Sequence, residues 1–335
     1  MSAIEQSNIV RNLSFDYLKF IGMIGILIAH ISSNKIILSI RSFDVNLLII
    51  LSAILATDTV HSDMTLCEIR TYIKKRILRL AVPTWIFITI YLLLNLVFRF
   101  ADYNVVNIVR SYLFQDNSIG YVWIIYVYLI VAAMMPFMVR VDLINSRNNK
   151  LIFCLCVLCY IFLYMISDDY YYRVIVLYPI VYGMISAFAI NWNGFSAKYK
   201  RIFLCSCTAL FLCLAAFYYY RTGMMLSIDA FKYPPKLYYL TYTLAVSFAL
   251  LEIFQKIKMG GIVTYYITFV CRHSLWFYLW HILMLQISYR ISDNERIRFL
   301  TVIVGSSLII FAQEILVNKL ADLEFNKKLL SIFKG

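Results

Sequence analysis

The chain has 335 residues, of which 62% are hydrophobic and 15% are charged, and its mean hydropathy is +0.78. A soluble globular domain is about half apolar and about a quarter charged, so this composition excludes an ordinary soluble fold. The net charge of +13 comes from Lys and Arg residues scattered between apolar runs, without a long basic stretch. That distribution argues against a nucleic-acid-binding protein.

Apolar runs long enough to cross a bilayer recur along the whole chain. A membrane helix needs about 20 apolar residues. The sequence therefore predicts an all-α, polytopic integral membrane protein, a single membrane domain over residues 1–335 with about ten spans and no appended soluble domain. The apolar piece Ile262 to Val270 is too short to cross and is predicted to be interfacial or re-entrant. The predicted spans are residues 13–31, 43–60, 78–98, 121–139, 151–167, 173–190, 202–220, 237–254, 273–289 and 299–318.

The loop charges predict the orientation of these spans. If the N-terminus is cytoplasmic, 19 Lys and Arg residues fall in inner loops and tails and 11 in outer loops. Because inner loops of membrane proteins are enriched in these residues, both termini are predicted to be cytoplasmic. Six of the eight cysteines lie inside apolar runs, and none has a partner at metal-ligand spacing, so no metal site or bound cofactor is predicted.

The first predicted span carries three ionisable residues, which are costly within a membrane. Asp16 lies three residues before Lys19 and can pair with it. His30 follows Lys19 by eleven residues, about 16 Å along the same helix face. A neutral imidazole could take a proton from a hydroxyl as a general base, or it could be a histidine hydrogen-bonded at a helix end. Gly22 and Gly25 predict close approach of a neighbouring helix.

Two further groups are candidates. Arg76 and Arg79 lie on one face at the start of the third span, where two guanidinium groups suit a phosphorylated ligand. The excess of basic residues in inner loops is the alternative explanation for this pair. His281 lies near the middle of the ninth span between tryptophans, and a buried histidine requires a polar partner, a ligand or water.

These motifs together resemble the acyltransferase 3 family of integral membrane acyltransferases, in order along nearly the whole chain. Two positions depart from the family pattern: Lys19 stands where an arginine is usual, and Ala53 stands where a glycine follows Ser52. The matching landmarks are Asp16, Lys19 and His30 in the first span; FDVNLLIILSAI from Phe43 to Ile54; Arg76 and Arg79 followed by Pro83; Trp123 at the start of the fourth span; KYPPKLYY from Lys232 to Tyr239; and YLWH ending at His281.

The resemblance implies transfer of an acyl group, most often acetyl, from cytoplasmic acyl-CoA to a hydroxyl of a surface polysaccharide or its lipid-linked precursor. It implies a multi-pass protein of the bacterial cytoplasmic membrane, with acyl-CoA, the glycan acceptor and polysaccharide-assembly proteins as partners. The roles that it implies are catalysis by His30, Asp16 and Lys19, and substrate binding by Arg76, Arg79, Trp123, His281 and Ser52.

The main alternative function is transport or flipping of a lipid-linked sugar. Transporters of this kind commonly have related halves and helices broken by Gly or Pro, whereas this chain has 10 Gly, 5 Pro and no visible repeat. A polysaccharide polymerase would more often have a large external loop, and a non-catalytic scaffold would not need ionisable residues inside its spans.

Overall fold

The computed structural model describes residues 12–115, 119, 121–141, 147–166, 169, 172–257, 260–323, 330, 332 and 333, without the side chains of 147–154 and 164. Within these residues all regular structure is helical. Thirteen α-helices are numbered here in chain order: α1 Leu13–Ile31, α2 Lys35–Ile40, α3 Asp44–Ala56, α4 Leu66–Phe98, α5 Val105–Tyr112, α6 Trp123–Val141, α7 Arg147–Ile166, α8 Tyr178–Ile190, α9 Ala197–Thr222, α10 Leu237–Phe254, α11 Ile262–Arg272, α12 Ser274–Ile291 and α13 Glu295–Asp322.

Each of the ten predicted spans corresponds to helical structure, so the fold class is confirmed as all-α and polytopic. Eight helical segments are long and apolar enough to cross a membrane by length and composition, α2 and α3 forming one of them. The two remaining predicted spans correspond to α7, with 20 residues, and α12, with 18. The apolar piece after α10 is the 11-residue helix α11, which is too short to span.

The second span differs from the prediction, because its helical segment covers Lys35–Ala56 rather than residues 43–60. The side chain of Asn34 caps α2 by accepting from two backbone N–H groups, and a short 3₁₀ turn, Arg41–Phe43, joins α2 to α3. Asp44 marked the expected start of the span because it is charged. In the structure it lies inside the segment, where Arg41 and Lys232 neutralise it.

Helices α1 and α3 approach each other closely, as the two glycines of α1 predict. A Cβ atom on Gly22 would lie 2.7 Å from Leu48 Cγ, and one on Gly25 would lie 2.9 Å from Asp44 Cβ. Larger side chains would hold the helices apart. The glycines therefore allow the charged start of α3 to lie against the final turns of α1, near His30.

The helices differ widely in how far they are buried within the protein. The segment containing α3 is 61% buried in its most apolar window and packs against α1, α6, α8 and α10, whereas α9 is only 6% buried and packs mainly against α10. The center of the bundle is thus built around α1 and α3. Helix α9 presents most of its apolar surface outward, as expected for a helix in lipid.

Candidate functional site

Two cavities lie in the bundle, at opposite ends of α1. The first, called here the histidine cavity, has a volume of about 610 Å³ and contains His30. It lies at the end of the bundle where α1 ends and α3 and α6 begin. Its lining also includes Ile26, Ala29, Arg41, Asp44, Val45, Tyr103, Gln115, Tyr121, Trp123, Ile124, Asp229, Lys232, Tyr233, Tyr278 and Gln286.

The second cavity, called here the basic cavity, has a volume of about 390 Å³ and lies towards the end of the bundle where α1 begins. Three cationic side chains and one carboxylate line it, which gives a formal net charge of +2. Apolar side chains of α3 and α6 form much of the remaining wall. The charged lining residues are Lys19, Arg76, Arg79 and Asp58.

The two cavities share a wall made by three side chains: Ile26 of α1, Ile124 of α6 and Tyr278 of α12 line both of them. On each helix, residues on one side of this position line one cavity and residues on the other side line the second. We call these three residues the partition. Because every element changes cavity at the same depth, the cavities are arranged end to end across the bundle.

The imidazole of His30 is half-buried and is held by aromatic neighbours. The ring of Tyr121 stacks on it with 3.7 Å between centroids and 24° between planes. The hydroxyl of Tyr289 donates to the His30 carbonyl over 2.8 Å. Burial raises the pKa of the Tyr121 phenol, and Tyr289 and Tyr103 raise it further, so this phenol stays protonated near neutral pH.

His281 is a neighbour of His30. The two imidazole rings are nearly parallel, 5.7 Å apart, and His281 is fully buried. Its Nδ1 lies against the carbonyl of Tyr278, which can only accept, so Nδ1 carries the hydrogen and Nε2 has a free lone pair. Within the described part of the chain, Nε2 has no hydrogen-bond partner.

Four charged side chains are linked by ion pairs in the wall of the histidine cavity, and we call them the charged network. The Asp44 carboxylate accepts from Arg41 over 2.7 Å and from Lys232 over 3.3 Å. Arg41 also donates to Asp229 over 2.9 Å. Arg41, Asp44 and Lys232 are all more than nine-tenths buried. Two cations and two carboxylates leave this cavity with a formal net charge of zero, in contrast to the basic cavity.

The structure brings most of the predicted site residues together, in two groups. Lys19, Ser52, Arg76 and Arg79 line the basic cavity, while His30 and Trp123 line the histidine cavity. His281 lines neither cavity but stacks on His30.

Asp16 also lines neither cavity. It is buried beside α11, where its carbonyl accepts from the Cys271 thiol over 3.0 Å. No group of three or more His, Cys, Asp or Glu side chains that could hold a metal occurs among the described residues.

The sequence alone does not identify the charged network as a site. Arg41 and Lys232 count there as basic loop residues, Lys232 and Asp44 also lie in segments that resemble the family, and Asp229 is not singled out. The network joins residues 188 positions apart in the chain, a separation that no local pattern shows. The available signal was a basic residue three positions before an Asp at the start of an apolar run, since a charge there needs a partner.

The comparisons with known proteins identify the family. No match was found among curated proteins or among solved structures. The sequence matches the family described as "Acyltransferase domain", of the acyltransferase 3 type, over residues 12–312. That match covers α1 to α12, both cavities and most of α13. The protein therefore belongs to the acyltransferase 3 family and is a membrane acyltransferase.

Proposed function

We propose that the protein is a membrane O-acyltransferase. It moves an acyl group, most simply acetyl, from cytoplasmic acyl-CoA to a sugar hydroxyl of a surface polysaccharide or its lipid-linked precursor. The observation that carries this proposal is the pair of cavities that meet at the partition. Two substrates that enter from opposite ends of the bundle would place their reacting groups at this depth, where a short movement of the acyl group completes the transfer.

The basic cavity suits the acyl donor. Coenzyme A carries several phosphates, and guanidinium groups bind phosphate oxygens through paired, charge-assisted hydrogen bonds. Arg76 and Arg79 supply two such groups one helical turn apart, and Lys19 adds a third cation across the cavity. The apolar lining towards Ile26 leaves room for the thioester end, away from the phosphates.

The histidine cavity suits an uncharged polyhydroxyl acceptor. Its charges are already paired with each other, so an anionic acceptor would find no excess positive charge. The amide of Gln286 and several phenol groups also line the wall as hydrogen-bonding groups. Trp123 adds an aromatic ring, which packs edge-on against Tyr233 with 5.2 Å between centroids. Aromatic side chains combined with a few placed polar groups are the ordinary composition of a small-molecule site.

His30 is the proposed general base. Its imidazole would take the proton of the acceptor hydroxyl as the hydroxyl oxygen attacks the thioester carbonyl. The new carbon–oxygen bond forms, the carbon–sulfur bond breaks, and the proton held by the His30 imidazolium passes to the leaving thiolate, which gives free coenzyme A and neutral His30. His281 is placed to hold the His30 ring in its orientation through the stacked contact.

The proposed location is the bacterial cytoplasmic membrane with both termini inside. In that orientation the basic cavity opens towards the cytoplasm, where acyl-CoA is made, and the histidine cavity opens outward, where surface glycans are assembled. The distribution of basic residues between the loops supports this orientation. Polysaccharide-assembly proteins are the proposed suppliers of the acceptor.

The test compares surface glycans from cells with the wild-type protein and with His30→Ala. We expect an alkali-labile acyl group on a glycan hydroxyl with wild type. The rate of glycan acylation in the variant should be about 10²–10⁴-fold lower, because that is the usual contribution of a general base. Mass spectrometry of the extracted glycan and of its lipid-linked precursors gives the readout. His61→Ala is the matched control, since His61 is an exposed loop residue that lines neither cavity.

Full acylation by His30→Ala, at equal protein level in the membrane, would remove His30 from the mechanism. Cells without the protein could instead lose the glycan itself from their surface. If the glycan that remains is acylated as in wild type, this result would favour transport of a lipid-linked sugar.

A further inference from the structure

The side chains of the partition bear on the size of the acyl group that can reach it. Two of its three residues are isoleucines, Ile26 on α1 and Ile124 on α6, which are 6% and 3% exposed. Ile26 lies four residues from His30 and seven from Lys19 along α1, about 6 Å and 10 Å along the axis. The partition is therefore closer to the proposed base than to the cations of the basic cavity.

This position determines what the isoleucines would contact. For a hydroxyl beside His30 to reach the thioester carbonyl, that carbonyl must come to the depth of the partition. The carbons of the acyl group beyond the carbonyl then have to fit between the side chains there. Both isoleucines are branched at Cβ and have few rotamers, so they cannot easily move aside for a longer chain.

We propose that Ile26 and Ile124 select the length of the transferred acyl group, and that their size favours the shortest acyl chains. The inference rests on the function proposed above and adds the determinant of donor specificity. Tyr278 closes the third side. Its hydroxyl is bonded to the Tyr121 carbonyl over 2.7 Å, so its ring is held in place while the isoleucines set the width.

The experiment uses membranes from cells that make the acceptor, supplied with equal amounts of acetyl-CoA, propionyl-CoA and butyryl-CoA. The ratio of the three esters on the glycan is measured by mass spectrometry for wild type, Ile26→Val and Ile124→Val. Each variant removes one methyl group from the partition. We expect the longer esters to gain about tenfold relative to acetyl, since one methylene in a fitted pocket supports discrimination of about that size.

Ile185→Val is the matched control. Ile185 lies on α8, is 5% exposed, and lines neither cavity. This control variant should leave the ester ratio unchanged. The amount of the variant protein in the membrane shows the effect of losing a buried methyl group alone.

The outcomes separate this inference from the function on which it rests. Unchanged ester ratios in both partition variants, with active wild type, overturn the role of the isoleucines and leave the acyltransferase proposal intact. An equal shift in Ile185→Val also overturns it, because the effect would then be general loosening of the packing. Absence of any ester with all three donors in wild type overturns both proposals together.

Discussion

The orientation of His30 depends on contacts from three other residues. The Tyr121 ring and the His281 ring both stack with the His30 ring, and the Tyr289 hydroxyl donates to the backbone carbonyl of His30. Tyr121 itself has a φ of 58°, a left-handed conformation that is uncommon for a bulky side chain. The bond from the Tyr278 hydroxyl to the Tyr121 carbonyl stabilises that backbone conformation. Tyr278 is thus a positioning residue for His30, acting through Tyr121.

Removing this hydroxyl should slow the reaction without weakening donor binding. A hydrogen bond contributes about 0.5–1.5 kcal/mol net, so Tyr278→Phe should lower kcat about threefold to tenfold. KM for acyl-CoA should stay unchanged, because the cations of the basic cavity are untouched. Steady-state kinetics in membranes give both values. The control is Tyr242→Phe, which removes a comparable bond to the Ile40 carbonyl away from both cavities. A rise in KM with constant kcat would contradict the positioning role.

Asp44 joins the two cations of the charged network. Its side chain is 1% exposed and contacts both Arg41 and Lys232. Replacing it by Asn would leave two buried cations with insufficient negative charge. Breaking a buried ion pair in this way costs about 3–5 kcal/mol, so Asp44→Asn should lower the apparent Tm in detergent markedly. The exposed pair between Arg298 and Asp293 is the control, and Asp293→Asn should change the Tm little.

At the scale of helices, the apolar runs were a good guide because a backbone in lipid must satisfy its own hydrogen bonds. Helix α10 begins and ends where the sequence predicted. The second span shifted because Asp44, a charge read as a boundary, is neutralised by residues distant in the chain. The same long-range pairing explains why His30 and the arginine pair could be picked out by local spacing while Arg41, Asp229 and Lys232 could not.

The close contact of α1 and α3 should not tolerate an added methyl group at Gly25. The new Cβ would meet the Asp44 Cβ at 2.9 Å, and this atom cannot move away without its helix. We expect Gly25→Ala to destabilise the protein by about 1–3 kcal/mol, as overpacked cores do, and to lower activity because Asp44 moves. Gly194→Ala has open space around it and should be neutral. Thermal unfolding in detergent checks both, and equal Tm values for the two would contradict the close packing.

Across the whole molecule, basic residues occur both in loops and in the lining of a cavity. Basic residues cluster where α4 begins, and inner-loop preference alone would explain them all. The structure separates two groups on this helix: Arg76 and Arg79 line the basic cavity, whereas Lys74 and Lys75 are exposed and do not. The two explanations therefore make different predictions for pairs of variants that remove equal charge.

Arg76→Ala combined with Arg79→Ala should weaken acyl-CoA binding by about 10²-fold or more, since each charge-assisted hydrogen bond is worth about 1.5–3 kcal/mol. Lys74→Ala combined with Lys75→Ala removes the same charge and should leave binding nearly unchanged. Calorimetric titration of the purified protein with acetyl-CoA measures both. Similar losses in the two double variants would mean that the arginines act only through general charge.

The wall between the cavities is also relevant to the barrier that the membrane presents to ions. About 30 Å of hydrocarbon separates the two aqueous sides of a bilayer, and in the proposed orientation one cavity opens to each side, with the partition lining both. Its two isoleucines and one tyrosine would then form the local barrier to ions. An enlargement that admits a bulkier acyl group would also admit water and charge. On the proposal made above, narrow substrate range and low ion leak would depend on the same three side chains.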